Sequence, residues 1–206
     1  MKQTQAFTLI ELLIVVAIIA ILAAIAVPNF LEAQTRAKVS RAKADIRSLA
    51  TALESYAVDW NKFPWDEEPP NPEGPPDGSY CVFYVPNAIT TPVAFITNNK
   101  ITDPFRDSTM RVGLDWRRFR YINYKFRIHK YSGTAPGYWE QGEPRCGAWK
   151  LSSSGPDNIA DVPLPLWNFD SFACVIPPVI YDATNGTTSW GDIIRTQKSS
   201  DMQNPN

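Results

Sequence analysis

Residues that carry chemistry are scarce in this chain. There is one histidine, His129, in 206 residues. A triad or a metal centre needs a positioned base with partners, and the residues around His129 supply none. The three cysteines, Cys81, Cys146 and Cys174, form no CxxC and no zinc-ligand spacing. In an oxidising compartment two of them can join and leave one over, and the sequence leaves the pair open. As small buried apolar groups they are equally well explained. Charge of one sign is lacking too, with 20 Lys plus Arg against 21 Asp plus Glu. No basic field points to nucleic acid, and no acidic excess points to a solvating tail. The hydroxyls of LSSSGPD sit in no GxSxG frame and read as turn donors. Repeats and low-complexity tracts are absent from the sequence. These gaps point away from an enzyme and require no cofactor.

What the chain does have is an apolar run near its start. Of the 21 residues 7–27, only Thr8 and Glu11 are polar. As a helix rising ~1.5 Å per residue, that run spans roughly 30 Å, the thickness of a hydrocarbon core. Its backbone polar groups are satisfied internally, so it is stable in lipid without a partner protein. A secretory signal peptide cut near Ala24–Ala26 is one reading. The run exceeds the ~7–15 residues usual for that apolar core, the leading MKQTQA has one lysine, and Glu11 interrupts it. A plain anchor that tolerates Glu11 is a second reading. The third is an anchor in which the glutamate serves a purpose. A mid-bilayer carboxylate costs roughly 2.5–3.5 kcal/mol and usually has a partner.

Past residue 27, Val39, Ala42, Ile46, Leu49, Leu53, Tyr56 and Trp60 recur at alternating steps of 3 and 4. That is the stripe of an amphipathic helix. The spacing predicts one helix from about residue 8 to about residue 59, kinked near Pro28, where a hydrogen bond is lost. The stripe stops after about three heptads, which suits packing on a sheet of the same chain better than a coiled coil. Residues 61–78, NKFPWDEEPPNPEGPPDG, contain six prolines and read as a surface loop, although a PxxP ligand is conceivable. Beyond them the pattern turns to period two. YCVFYV (80–85), PVAFIT (92–97) and AWKLSSSG (148–155) are candidate strands. In YINYKFRIHKY (121–131), Ile122, Tyr124, Phe126 and Ile128 alternate with polar residues, predicting a half-buried strand with His129 on its polar side. Asn185-Gly186 signals a hairpin turn within 179–195. The expected class is α+β, a long N-terminal helix packed on a small, mainly antiparallel sheet with irregular loops.

The stretch AFTLIELLIVVAIIAILAAIAVPNF resembles the class III signal of type IV pilins and type II secretion pseudopilins. The resemblance implies a leader of residues 1–6, a membrane helix over 7–27 and its amphipathic continuation over 28–60. The loop 61–78 and a periplasmic β-rich part over 79–206 follow. It implies that prepilin peptidase cuts between Ala6 and Phe7 and methylates the new amine of Phe7. Glu11 becomes the fifth mature residue and Pro28 the twenty-second, both as in the family. Ala6 stands where glycine is usual. The freed amine, with a pKa near 8, is mostly cationic. In parallel helices packed with an axial stagger it can reach the next subunit's Glu11, so that two buried charges offset each other and set register. Pairing within one chain, at i and i+4, is the alternative.

Fainter islands, DPF (103–105), YINYKF and WKLSSSGPDN (149–158), resemble the major pseudopilin of type II secretion. The insert between Pro64 and Thr102 and the tail after Asn158 depart from it. That family binds calcium in a loop after the last island, which implies ligands at Asp157 and Asp161. Ordinary turn capping by these residues is the alternative. Asp182, Asn185 and Asp192 carry oxygen at spacings unlike the EF-hand.

The implied role is a filament-forming subunit of the bacterial inner membrane, its C-terminal part in the periplasm. Its partners are then copies of itself, other pseudopilins or pilins, prepilin peptidase, an inner-membrane assembly platform and membrane lipid, but no nucleic acid. A type IV pilus subunit is the near alternative. A membrane-anchored module that binds a ligand without polymerising, through Trp116, Trp139, Trp167 or Trp190, is the distant one. The positive-inside count runs against the implied orientation, because Arg36, Lys38, Arg41, Lys43 and Arg47 all follow the apolar run.

Overall fold

A computed structural model describes residues 8–66, 84–98, 100–106, 117–130, 138–156, 181–182 and 191–199. The chain forms two compact units, Met1–Ala37 and Lys38–Asn206. Helix α1, Leu9–Trp60, contributes to both. It runs through Pro28, whose ring nitrogen has no hydrogen to donate to the preceding turn. It ends at Asn61, which takes the left-handed conformation (φ 51°) typical of the residue after a helix C-terminus. The helix and its limits match the 3.6-residue periodicity.

In the second unit the predicted stripe is buried from Val39 to Leu53, while Tyr56 is half-buried and Trp60 is exposed. Val39, Ala42, Ile46, Leu49 and Leu53 lie in one core with Val85, Ile89, Phe105, Phe119, Tyr121, Trp149, Leu151 and Ile193. Each aliphatic side chain fully buried there contributes about 1.5–3 kcal/mol. The core's other wall is a three-stranded antiparallel sheet in the order β1 (Arg120–Asn123), β2 (Trp149–Ser153), β3 (Ile193–Thr196). Tyr121 stands opposite Leu151, and Leu151 opposite Arg195. Tyr121, Trp149 and Leu151 face α1, and the Trp149 indole N–H donates to the Glu54 carboxylate at 3.0 Å. Ile122, Lys150 and Ile194, on the opposite face, are buried as well. The expected half-buried strand is therefore buried on both sides.

Two strand predictions are corrected. Only residues 120–123 of the 121–131 stretch are extended; α2, Tyr124–Lys130, follows at once. Asn123 makes the switch: its side-chain oxygen accepts the Phe126 N–H at 3.1 Å, an N-cap bond three residues into the helix. Tyr124 and Arg127 are then buried one turn apart, and His129 is exposed on a helix rather than on a strand. Residues 92–97 form bends, in which the Phe95 and Ile96 N–H groups donate to the Ile89 carbonyl and Phe95 packs edge-on against Tyr56. Helix α3, Tyr138–Cys146, has no counterpart among the sequence expectations. Cys146 at its end is disulfide-bonded, to a partner outside the described residues. The strand expected at 148–155 is β2. Of residues 80–85, Tyr84 pairs with Arg120 in an isolated bridge, and residues 80–83 and the Asn185-Gly186 turn lie outside the described residues.

A polar cluster is buried beside the sheet. Asp103 accepts the Ser153 hydroxyl at 2.8 Å, the Ser154 N–H at 2.8 Å and the Phe105 N–H at 3.0 Å. Arg106 and Arg120 both donate to the Ser154 hydroxyl, at 2.8 and 3.3 Å, and Arg120 lies 3.9 Å from Asp192. Tyr84 sits among Arg106, Arg118 and Arg120. Desolvation lifts its phenol well above the ordinary range, against the pull of the three guanidiniums.

Candidate assembly site at the N-terminal helix

The first unit presents a helix with no core of its own. From Leu9 to Leu31 its large apolar side chains are exposed, Leu9 at 78% and Ile25 at 62%. Apolar surface this extensive marks a membrane or protein contact. The helix is long and apolar enough to cross a membrane.

Glu11 lies in its first turn and is engaged within its own chain. The carboxylate accepts the Thr8 N–H at 2.9 Å and the Thr8 hydroxyl at 2.7 Å. The Thr8 hydroxyl oxygen in turn accepts the Glu11 N–H at 3.4 Å. This is a capping box, Thr at the N-cap and Glu three residues on, which satisfies two N–H groups that a helix start leaves open. The T-x-x-E spacing carries the signal, and reading Glu11 only as a charge in lipid overlooks it. Ala6 and Phe7, the expected processing site, lie outside the described residues. Pro28 sits inside the same helix, exposed.

Beyond the apolar run, Arg36 pairs with Glu32, and Arg41 with Asp45 at 3.6 Å, each at i, i+4. Exposed helix pairs of this spacing, such as Arg36–Glu32, contribute only about 0.3–0.5 kcal/mol; Asp45 is half-buried. Two of the five basic residues that oppose the expected orientation are thus matched by an acid on their own helix.

The other candidate sites divide. Asp157 and Asp161, the expected calcium ligands, lie outside the described residues, as does Asn185. Asp192 is buried beside Arg120 and is part of the core. Of the tryptophans named for stacking, Trp116, Trp167 and Trp190 lie outside the described residues and Trp139 belongs to α3.

Residues 1–27 match the family model for the prokaryotic N-terminal methylation motif, and residues 29–69 that for type II secretion system (T2SS), protein G. Among curated proteins, the chain is 51% identical over 61 residues to the type IV major pilin protein PilA of Myxococcus xanthus (strain DK1622), covering 30% of this chain and 28% of the pilin. It is 44% identical over 63 residues to the type II secretion system core protein G of Pseudomonas aeruginosa, covering 31% and 44%. To the type IV wide pilus major component PilA4 of Thermus thermophilus it is 46% identical over 63 residues, covering 31% and 48%. The chain therefore spans less than half the length of each of these relatives. No solved structure matches it. Over residues 1–69, which hold the apolar helix, its capped Glu11 and the buried stripe, the chain is similar to the type IV pilins and to type II secretion protein G.

Proposed function

We propose that this chain is a filament subunit, a pseudopilin of a type II secretion system, that polymerises through its N-terminal helix. The observation that carries the reading is the wholly exposed apolar helix with a single carboxylate in its first turn, in a chain whose residues 29–69 match protein G. The mechanism is mechanical and assigns no residue a catalytic role. Prepilin peptidase cuts between Ala6 and Phe7, leaving the Phe7 amine at the edge of the apolar run. The subunit stands in the inner membrane with its C-terminal unit in the periplasm. On joining the filament, its helix exchanges lipid for neighbouring helices, so apolar surface stays out of water. The new subunit's ammonium meets a neighbour's Glu11, and the pair fixes the stagger because either charge alone in that setting is penalised.

Two substitutions separate this role from helix capping. Glu11→Gln keeps an acceptor for Thr8 but lacks the charge; Glu11→Ala lacks both. Filament yield in sheared fractions and in electron micrographs is expected to fall at least tenfold in both variants, while membrane-inserted monomer persists. Wild-type assembly by Glu11→Gln overturns the charge pairing.

The similarity to the Myxococcus pilin favours a second reading, a surface pilus subunit. Deletion of the gene separates the two. Loss of protein export with surface fibres intact supports the pseudopilus; loss of surface fibres with export intact supports the pilus.

A further inference from the structure

Trp65 is 64% exposed, although Pro64 and Asp66 on either side of it are buried. Its mount is rigid. The Pro64 carbonyl accepts the Tyr121 hydroxyl at 2.9 Å and the Asn123 side-chain amide at 2.8 Å. The Asp66 carboxylate accepts the Asn123 N–H at 3.0 Å and the Arg127 Nε–H at 2.9 Å. The indole lies 13° from parallel to the Phe126 ring, centroids 5.2 Å apart. One face is thus backed and its tilt set, and the other is open.

Cavities of about 380 and 370 Å³ flank this stack, and both are lined by Lys62, Phe63, Trp65 and Phe126. Their size falls at the lower end of ligand clefts, about 300–1,000 Å³. Among the described residues, the exposed charges lining them are of one sign, Lys62 and Lys125. Both stand at the rim, Lys125 shared with Glu143 at 3.6 Å. Asp66, the one carboxylate among the described lining residues, is buried and bonded to Arg127.

We propose that the Trp65 platform binds an acidic saccharide, a uronate-bearing pyranose lying on the open indole face. A pyranose has a flat C–H face to lay on an aromatic ring. Its hydroxyls suit the Asn61 amide, and its carboxylate suits the point charges of Lys62 and Lys125. The described lining residues include no arginine, the side chain best shaped for phosphate. A net charge of −1 and a pI near 5.9 lack the basic field of a nucleic-acid reader. An aromatic peptide side chain is better held in a walled pocket than on a single open plate. The proposal goes beyond filament assembly and does not depend on it, because no residue before Tyr56 takes part.

Full-length protein in detergent micelles is titrated calorimetrically with a tetraguluronate, with maltotetraose, with a hexaglutamate peptide and with a single-stranded oligonucleotide, all at one low salt concentration. Tetraguluronate is expected to bind at least tenfold tighter than the other three. Trp65→Ala is expected to weaken it tenfold or more, as for a central aromatic anchor, and Trp65→Phe less. Lys62→Ala with Lys125→Ala should remove the preference for the uronate over maltotetraose. Trp65 is exposed, so Trp65→Ala should unfold at the wild-type temperature, which shows the fold is kept. Absence of tetraguluronate binding at millimolar concentration overturns the proposal. So does equal or tighter binding of any other probe, or undiminished binding by Trp65→Ala.

Discussion

Asp66→Ala should destabilise the Lys38–Asn206 unit by about 3–5 kcal/mol, the usual cost of removing one partner from a buried ion pair. Asp66 and Arg127 are both wholly buried, with Nη2 and Oδ1 2.5 Å apart and a second bond from Nε. Without the carboxylate, a guanidinium is left in the interior with its main anion gone, and the Asn123 N–H loses its acceptor as well. Folded domains retain only about 5–15 kcal/mol, so the loss is a large share of the total. In a unit of this size each kcal/mol shifts the melting temperature by about 2–4 °C. Thermal unfolding of the full-length protein in detergent should show a fall of roughly 10 °C. The double variant Asp66→Leu with Arg127→Met should recover much of it, because the stranded charge is gone. A melting temperature within about 2 °C of wild type for Asp66→Ala means that the pair carries no such load.

Gly155→Ala should cost about 3 kcal/mol or more, from backbone strain and lost polar contacts together. Gly155 has φ +66°, a conformation that costs an L-residue about 1–2 kcal/mol. A Cβ there lies 2.0 Å from the Gly191 carbonyl oxygen, well inside contact distance, so backbone must move. The residues that would move hold the buried polar cluster. Ser153 and Ser154 precede Gly155 and bond to Asp103, and Asp192 follows Gly191. Each buried polar group left unsatisfied adds about 1–3 kcal/mol. The urea midpoint should drop with the slope unchanged. A midpoint within error of wild type means the two backbones separate freely at that point.

The parts of the fold legible in the sequence are those decided by local periodicity. The helix and its buried stripe follow from steps of 3 and 4, and β2 from a short apolar run between turn signals. The misreading at 121–131 has a definite cause. Ile122, Tyr124, Phe126 and Ile128 fit period two, and a charged residue at 127 looks like the solvent side. Arg127 is buried because Asp66, 61 residues earlier, is there to receive it. No window of ten residues contains that fact. The same distance hides the platform, since Trp65 reads as one residue of a proline-rich loop. Its neighbours Pro64 and Asp66 become a mount only when Tyr121, Asn123 and Arg127 arrive from β1 and α2. The Thr8–Glu11 box, in contrast, is fully present in four consecutive residues.

On the proposed assembly, that box bears on how a subunit leaves the membrane. A glutamate waiting in lipid for a neighbour's amine is not idle, because Thr8 already occupies it. On the proposed assembly, docking is therefore a handover: one set of hydrogen bonds to the carboxylate is released or shared as another forms. A handover has a smaller net drive than a capture. On that proposal, misaligned subunits can let go and a growing filament is easier to take apart.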